Sequence, residues 1–253
     1  MQKKKLFLIT GMMRSMTNWK TTIEILKNKF PDFEVIPLDV PGMGIHHALK
    51  SPLSINANVE FLKKRFDANK GDLNVMLGFS LGGMITSKWT ELYPEDVHGA
   101  ILVNTSFTHL QNPLLRMKLK IIPKMIIAMF SQSILREKLL YRAICNNIEN
   151  KSNIIEDWYQ DQKKYPVKTL NIIRQFIAGL TFRSINLELD LPILVIRSPN
   201  DHLVSSTCSI NIANNYEAEI VHHETAGHDI LNDDPNWVAT EIDSWFKRLE
   251  NEK

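Results

Sequence analysis

Short apolar runs alternate along the chain with longer stretches in which apolar residues recur at helical spacing. Such alternation is typical of a parallel β-sheet whose strands are joined by helices. Most of the runs are almost continuously apolar, as expected of strands that are buried on both faces. They are KLFLI (5–9), FEVIPLD (33–39), LNVMLGF (73–79), GAILVNT (99–105), PILVIRS (192–198) and AEIVHHE (218–224). The pattern predicts an α/β fold with a mostly parallel, six-stranded sheet flanked by helices.

A long stretch between the fourth and fifth predicted strands has helical periodicity and contains no convincing strand. We therefore predict that residues 107–185 form a helical insertion over the sheet, and that residues 1–106 and 186–253 form the core. The chain closes with a predicted helix that Asp234 caps and Pro235 begins. Its apolar stripe consists of Val238, Ile242, Trp245 and Leu249.

One hydroxyl interrupts the third apolar run, in the sequence GFSLG at residues 78–82. A serine between two glycines, directly after a buried strand and before a helix, matches the strained turn known as a nucleophile elbow. Gly78 and Gly82 would let the chain bend tightly, so that Ser80 points out of the sheet and the Leu81 N–H faces a developing oxyanion. The alternative is an ordinary strand-to-helix turn whose glycines serve packing.

Two further candidate residues follow the last two predicted strands. A serine hydroxyl is a weak nucleophile at neutral pH, and it needs a base and a group that orients that base. Asp201 lies just beyond the fifth strand and His228 in the loop after the sixth, where active sites of parallel sheets assemble. Taken alone, Asp201 could accept hydrogen bonds from the backbone of its own loop, and His228 could be a surface residue. Together with Ser80, in the order Ser, Asp, His, they favour a catalytic triad.

Other acidic residues and histidines near these loops favour structural roles. Three carboxylates lie so close to His228 in sequence that capping and turn roles suit them better; they are Asp229, Asp233 and Asp234. Three histidines could suggest a metal site, but no spaced cluster of carboxylates or cysteines joins them; they are His202, His222 and His223. The sequence therefore predicts no metal ion.

The loop after the first strand, in LITGMMRS, lies beside the elbow in this topology. Because Met12 follows Gly11 at once, we expect its N–H to be the second oxyanion donor. Arg14 leaves two interpretations open. It could bind a carboxylate or phosphate of the substrate, or it could form a structural ion pair.

Bulk composition narrows the class of protein without identifying it. The chain has 253 residues and a formal net charge of only +2, so charge gives no argument for nucleic-acid binding. Its two cysteines, Cys145 and Cys208, indicate neither a disulfide framework nor a cysteine metal site. The start of the chain lacks a signal-peptide cleavage pattern, and no apolar run is long enough to span a bilayer. We expect a cytoplasmic protein.

Five motifs together resemble the α/β-hydrolase superfamily across essentially the whole chain: TGMM, DVPGMG (39–44), GFSLGG, PNDHLV and AGHD. The resemblance implies a helical lid at 107–185 and Ser80, Asp201 and His228 as the triad. The chain is similar to small bacterial carboxylesterases, including the pimeloyl-acyl-carrier-protein methyl ester esterases. Thr10 stands where histidine is common in the first loop.

The predicted insertion carries an excess of positive charge. Between residues 114 and 142 the only acidic residue is Glu137. The basic residues are Arg116, Lys118, Lys120, Lys124, Arg136, Lys138 and Arg142. One interpretation is an amphipathic lid with solvated lysines. The other is a docking surface for an anionic carrier, either acyl carrier protein or phospholipid headgroups.

These observations favour a carboxylic ester hydrolase that works through an acyl-enzyme and needs no cofactor. Its substrate would be a small or carrier-bound acyl ester. Two alternatives remain open: a thioesterase or lysophospholipase that acts on longer acyl chains, and a ligand-binding protein that has this fold without turnover.

Overall fold

A single parallel sheet lies at the centre of the computed structural model, which describes residues 2–131, 133–149, 151–184 and 191–251. The strands are β1 (Lys4–Ile9), β2 (Phe33–Leu38), β3 (Leu73–Phe79), β4 (Gly99–Val103), β5 (Ile193–Arg197) and β6 (Glu219–His222). They pair in the order β2-β1-β3-β4-β5-β6, and every pairing is parallel. The predicted fold class is confirmed.

Helices connect the strands and cover both faces of the sheet. They are α1 (Lys20–Lys29), α2 (Ile55–Asp67), α3 (Leu81–Leu92), α4 (Pro113–Arg116), α5 (Ile122–Phe130), α6 (Ile134–Ile144), α7 (Lys151–Lys164), α8 (Thr169–Thr181), α9 (Thr207–Asn215), α10 (Ile230–Asp233) and α11 (Pro235–Asn251). Short 3₁₀ helices span Met16–Trp19, Gly44–His46, Pro94–Asp96 and Leu119–Ile121. The predicted C-terminal helix is α11, and Asp234 Oδ1 accepts the Trp237 N–H at its start (3.0 Å).

The two faces of the sheet belong to two separate hydrophobic cores. Along β1, Phe7 packs into the core beneath α2 and α3, whereas its neighbours Leu6 and Leu8 pack into the core beneath α1 and α11. Successive side chains of a strand point to opposite faces, so a strand covered on both sides must be apolar throughout. This explains why the inner strands read as continuous apolar runs.

Strand ends differ slightly from the predicted ones. The fourth strand stops at Val103 rather than at residue 105, because Asn104 adopts a positive φ of 43° and turns the chain away from the sheet. The edge strand β6 spans Glu219–His222, and its residues are only partly buried or exposed. Edge strands lack a neighbour on one side, which explains the weaker apolar pattern there.

Helices α4 to α8 occupy the stretch between β4 and β5, as the periodicity predicts. Tyr141 of α6 and Trp158 of α7 pack in a third apolar core, which also includes Met13 and Leu203 from loops of the sheet. The predicted boundary at residues 185 and 186 lies outside the described residues. We refer to residues 107–184 below as the insertion.

Neither cysteine is paired, and both are buried. Burial raises the pKa of the Cys145 thiol well above its ordinary value and that of Cys208 to about 11. Both thiols are therefore inert packing groups. Across the described residues, no helix has the length and apolar character needed to cross a membrane.

Candidate active site

The order in which successive strands are added to the sheet reverses between β1 and β3. From β1 it first passes outward to β2 and then returns to β3 on the other side of β1. Ligands of open parallel sheets bind at the carboxyl ends of the strands at such a switch point. Ile9 pairs with Gly78 in the register of these strands, so the loop after β1 and the turn after β3 leave the sheet side by side.

Ser80 occupies a sharp turn between β3 and α3. Its φ and ψ are 53° and −112°, a conformation that costs a non-glycine residue about 1–3 kcal/mol. Two contacts with β4 and the residues after it hold the turn: the Ser80 N–H donates to the Val103 carbonyl (2.9 Å), and the Thr105 hydroxyl donates to the Ser80 carbonyl (2.7 Å).

The flanking glycines are needed because backbone fills the space where a side chain would go. A Cβ at Gly78 would overlap the carbonyl oxygen of Gly82, and a Cβ at Gly82 would overlap the carbonyl oxygen of Ile9. The start of α3 therefore packs directly on the end of β1. This is the geometry that the GFSLG motif predicts for an elbow.

The three predicted triad residues lie in one hydrogen-bonded row. Asp201 Oδ2 is 2.6 Å from His228 Nδ1, and His228 Nε2 is 3.1 Å from Ser80 Oγ. A carboxylate can only accept, so Nδ1 carries the proton, and Nε2 of the neutral ring can accept from the serine hydroxyl. Asp201 and His228 are buried, whereas Ser80 is partly exposed. The row can therefore accept a proton from Ser80, while Ser80 itself stays partly accessible.

Backbone donors and the insertion hold the Asp201 loop. Asp201 Oδ1 accepts the N–H groups of Leu203 (2.7 Å) and Val204 (2.8 Å). Met117 of the insertion forms an antiparallel bridge with Val204, and the Lys118 ammonium donates to the Asp201 carbonyl. With both carboxylate oxygens bonded, the Asp201 side chain has one orientation, directed at His228.

The loop after β1 approaches the elbow closely, as predicted. A Cβ on Gly11 would lie 3.2 Å from the Ser80 Cβ, so the Met12 amide is close to the nucleophile position. Neither Met12 nor Leu81 donates its N–H to a backbone acceptor in the loops and caps of the described chain. Met13 has a φ of 65°, and its N–H donates to Gln175 Oε1 of α8 at 3.1 Å. The insertion thus fixes the conformation of this loop.

Of the two interpretations of Arg14, the structure favours the structural ion pair. Arg14 Nη1 lies 3.0 Å from Glu137 Oε2, and the side chains are only 4% and 3% exposed. The guanidinium also lies 3.9 Å above the ring of Trp158. These partners belong to α6 and α7, so Arg14 joins the loop after β1 to the insertion.

A small cavity of about 80 Å³ borders Ser80. Most of its wall is apolar and comes from both the core and the insertion. The residues that line it are Met12, Ser80, Leu81, Met84, Ser106, Arg116, Met117, Gln175, Phe176, Gly179, Leu180, Leu203 and Val204. The predicted oxyanion donors and the nucleophile therefore share one cavity with the insertion.

A larger cleft, about 940 Å³, is lined by residues such as Lys4, Gly99 and Pro192. It lies at the amino ends of the strands, whereas Ser80 lies at their carboxyl ends.

The basic residues of the insertion do not form one solvated surface. Arg116 and Arg136 are buried, so it was wrong to place them among surface cations. The Arg116 guanidinium donates to the carbonyls of Ser106 and Gly179, and Arg136 donates to the carbonyls of Ala128 and Met129. The remaining basic residues of this run are exposed: Lys118, Lys120, Lys124, Lys138 and Arg142.

The acidic residues around His228 have the structural roles that the sequence favours, with one addition. Asp229 caps α10 by accepting the Asn232 N–H, and burial raises the pKa of its carboxyl group. Asp233 does more than form a turn, because it accepts the N–H groups of Gly227, Asn146 and Asn147. It therefore ties the histidine loop to the insertion.

The three other histidines near these loops have local hydrogen-bond partners or are exposed. His222 Nε2 lies 3.0 Å from Glu224, His223 Nε2 lies 3.3 Å from Asp234, and His202 is exposed. Within the described part of the chain, no group of three histidine, cysteine or acidic residues is placed to hold a metal ion.

Sequence reasoning missed Asn104, which links three parts of the site. Its Nδ2 donates to the His228 carbonyl at 2.7 Å and to Ser198 Oγ at 3.1 Å, and its Oδ1 accepts the Ser198 N–H. An asparagine directly after a buried strand was the available signal, since asparagine tolerates positive φ better than most residues. It joins the end of β4 to the loops that carry Asp201 and His228.

Comparison with known proteins decides the family. The family model described as Serine aminopeptidase, S33 (Hydrolase_4) matches residues 2–235. The chain belongs to this hydrolase family. No curated protein matches the chain in sequence.

Solved structures with the same α/β-hydrolase fold include three bacterial esterases. An esterase from Exiguobacterium antarcticum aligns with a TM-score of 0.77 and 13% identity, covering 98% of this chain and 93% of that one. A thermophilic esterase from Thermogutta terrifontis aligns at 0.72 and 17%, covering 98% and 92%. An esterase from Rhodococcus sp. ECU1013 aligns at 0.73 and 18%, covering 97% and 90%. At these sequence identities the structural similarity shows only that the chain shares their fold.

Proposed function

We propose that this hydrolase is a serine esterase. The observation that carries the proposal is the hydrogen-bonded row from Ser80 through His228 to Asp201, built on a strained turn at the switch point of the sheet. In the proposed reaction Ser80 Oγ attacks the ester carbonyl while His228 Nε2 takes its proton. Asp201 stabilises the imidazolium that forms.

The remaining steps use the backbone of the same site. The Leu81 and Met12 N–H groups stabilise the tetrahedral oxyanion, and the first of these lies at the positive end of α3. His228 then returns the proton to the leaving alcohol. Water, deprotonated by the same histidine, attacks the acyl-enzyme, and His228 passes this proton to Ser80 Oγ as the acid is released. The proposed mechanism requires no cofactor.

The lining of the cavity favours an ester over a peptide substrate. An aminopeptidase must hold a substrate ammonium group, which calls for a carboxylate near the nucleophile. None of the described residues that line the cavity is acidic, and Arg116 adds a positive charge to its wall. An uncharged acyl group suits this environment better.

The size of the cavity favours a short acyl group. Its volume of about 80 Å³ is far below the roughly 300–1,000 Å³ of sites that enclose drug-sized ligands. We expect kcat/KM for 4-nitrophenyl esters to be highest between acetate and butanoate and to fall at octanoate and beyond. A rate that rises through decanoate would instead support the alternative of a thioesterase or lysophospholipase for long chains. A panel of esters of increasing acyl length measures this.

A carrier-bound acyl methyl ester is the second candidate, and exposed charge favours it. Lys118, Lys120 and Lys124 are exposed and form no ion pair with any described residue. This group of exposed positive charges suits acyl carrier protein, whose negative charge would speed association. Lys118 is unsuitable for mutation because its ammonium also bonds the Asp201 carbonyl.

Charge reversal at the other two lysines tests the carrier. We expect the double variant Lys120→Glu and Lys124→Glu to raise KM severalfold for an acyl methyl ester on acyl carrier protein, and to leave hydrolysis of the same free ester unchanged. Lys27→Glu, an exposed position on α1, is the matched control. Equal KM values for the double variant and this control would rule out carrier docking at these lysines.

A further inference from the structure

The wall of the Ser80 cavity includes a side-chain amide whose N–H groups the fold does not use. Gln175 of α8 is only 1% exposed and lines the cavity. Its Oε1 accepts the Met13 N–H at 3.1 Å. Because that partner is a donor, the orientation of the amide is fixed, and the opposite atom is Nε2. Among the described residues, no acceptor lies within hydrogen-bond distance of this Nε2.

The other side-chain nitrogens of the cavity wall belong to Arg116, and each of them has an acceptor. Arg116 donates to Ser106 Oγ through Nε, to Thr108 through Nη1 and to two carbonyls through Nη2. Ser106 in turn accepts from Arg116. The rest of the wall is dominated by methionine, leucine, valine and phenylalanine side chains. Gln175 Nε2 is therefore the side-chain nitrogen of this wall that still lacks an acceptor in the described chain.

A buried amide without an acceptor destabilises a protein, and native structures rarely retain one without a reason. A ligand oxygen placed against Nε2 would remove that cost, whereas a ligand with a methylene group there would not. Sites built around such a donor reject the analogue that lacks the acceptor more strongly than an apolar pocket rejects a change of size.

We propose that Gln175 is a specificity-determining residue that donates through Nε2 to an oxygen in the acyl group of the substrate. This inference rests on the proposed esterase function and narrows its substrate class. Because the cavity is small, the acceptor lies within a few atoms of the ester carbonyl. The substrates are then short esters of oxygen-bearing acids, such as alkoxy, hydroxy or oxo acids.

The test compares two esters that differ by one atom. In 4-nitrophenyl methoxyacetate an ether oxygen replaces one methylene of 4-nitrophenyl butanoate. After each rate is divided by that of hydroxide-catalysed hydrolysis, we expect the wild-type kcat/KM to favour the methoxyacetate by about 10-fold, as one hydrogen bond would give. Gln175→Met, which keeps the side-chain volume, should reduce this preference to about one.

Loss of the Met13 contact in Gln175→Met lowers both rates alike and therefore cancels in the ratio of the two esters. The control is Phe176→Leu, which changes an apolar part of the same wall and should keep the preference. An unchanged ratio in Gln175→Met, or a wild-type ratio near one, would overturn the inference while butanoate hydrolysis still supported the esterase. The wild-type ratio decides the matter even if the variant does not fold. Failure to hydrolyse either ester would contradict the esterase and this inference together.

Discussion

Replacement of Ser80 by alanine is expected to abolish ester hydrolysis and to leave the fold intact. Removing the nucleophile of a serine hydrolase lowers kcat by a factor on the order of 10⁶. The methyl group of alanine fits the space of the hydroxymethyl group, and the two backbone contacts that hold the turn do not involve Ser80 Oγ. Initial rates with 4-nitrophenyl acetate, together with circular dichroism, measure both parts of the prediction.

Ser106→Ala is the matched control for this variant. Ser106 is a second hydroxyl in the wall of the same cavity, and it bonds Arg116 rather than His228. We expect this control to lose less than about tenfold in kcat, the cost of one hydrogen bond. If Ser80→Ala retained as much activity as Ser106→Ala, Ser80 would not be the nucleophile.

Replacement of Glu137 by alanine is expected to cost about 3–5 kcal/mol in the free energy of unfolding. The variant leaves the Arg14 guanidinium, whose side chain is only 4% exposed, without its counter-ion. The ring of Trp158 compensates only partly for a missing carboxylate. Urea unfolding followed by tryptophan fluorescence measures the loss.

The double variant Arg14→Met and Glu137→Leu separates the buried charge from a general loss of packing. With both charges replaced by apolar groups of similar size, we expect most of the stability to return. Lys247→Ala, which breaks an exposed pair with Asp243, should change the free energy of unfolding little. A Glu137→Ala variant as stable as Lys247→Ala would show that the ion pair does not stabilise the fold.

The sheet and the positions of Ser80, Asp201 and His228 could be predicted because each depends on local sequence. Buried parallel strands are marked by continuous apolar runs, and the elbow by glycines whose side-chain space is filled by backbone. The carboxyl ends of the strands meet at one edge of the sheet. Once the strands are placed, their parallel order brings together the residues just past β3, β5 and β6.

The contacts between the insertion and the sheet could not be predicted in the same way. In the sequence, Glu137 is recognisable only as the single acidic residue of a basic segment, and its partner Arg14 is 123 positions away. The bond from Met13 to Gln175 spans 162 positions. Helical periodicity shows which face of a helix is buried, but not which loop that face meets. For the same reason the burial of Arg116 was missed.

Labelling with a fluorophosphonate probe, read by mass spectrometry of the intact protein and of its proteolytic peptides, tests whether Ser80 is an activated nucleophile. We expect the wild-type protein to gain one probe per chain, on the peptide that contains Ser80. His228→Ala should label far more slowly, because no base takes the serine proton, and Ser80→Ala should not label. A folded wild-type protein that remains unlabelled, or that carries the probe on another residue, would contradict the proposed esterase.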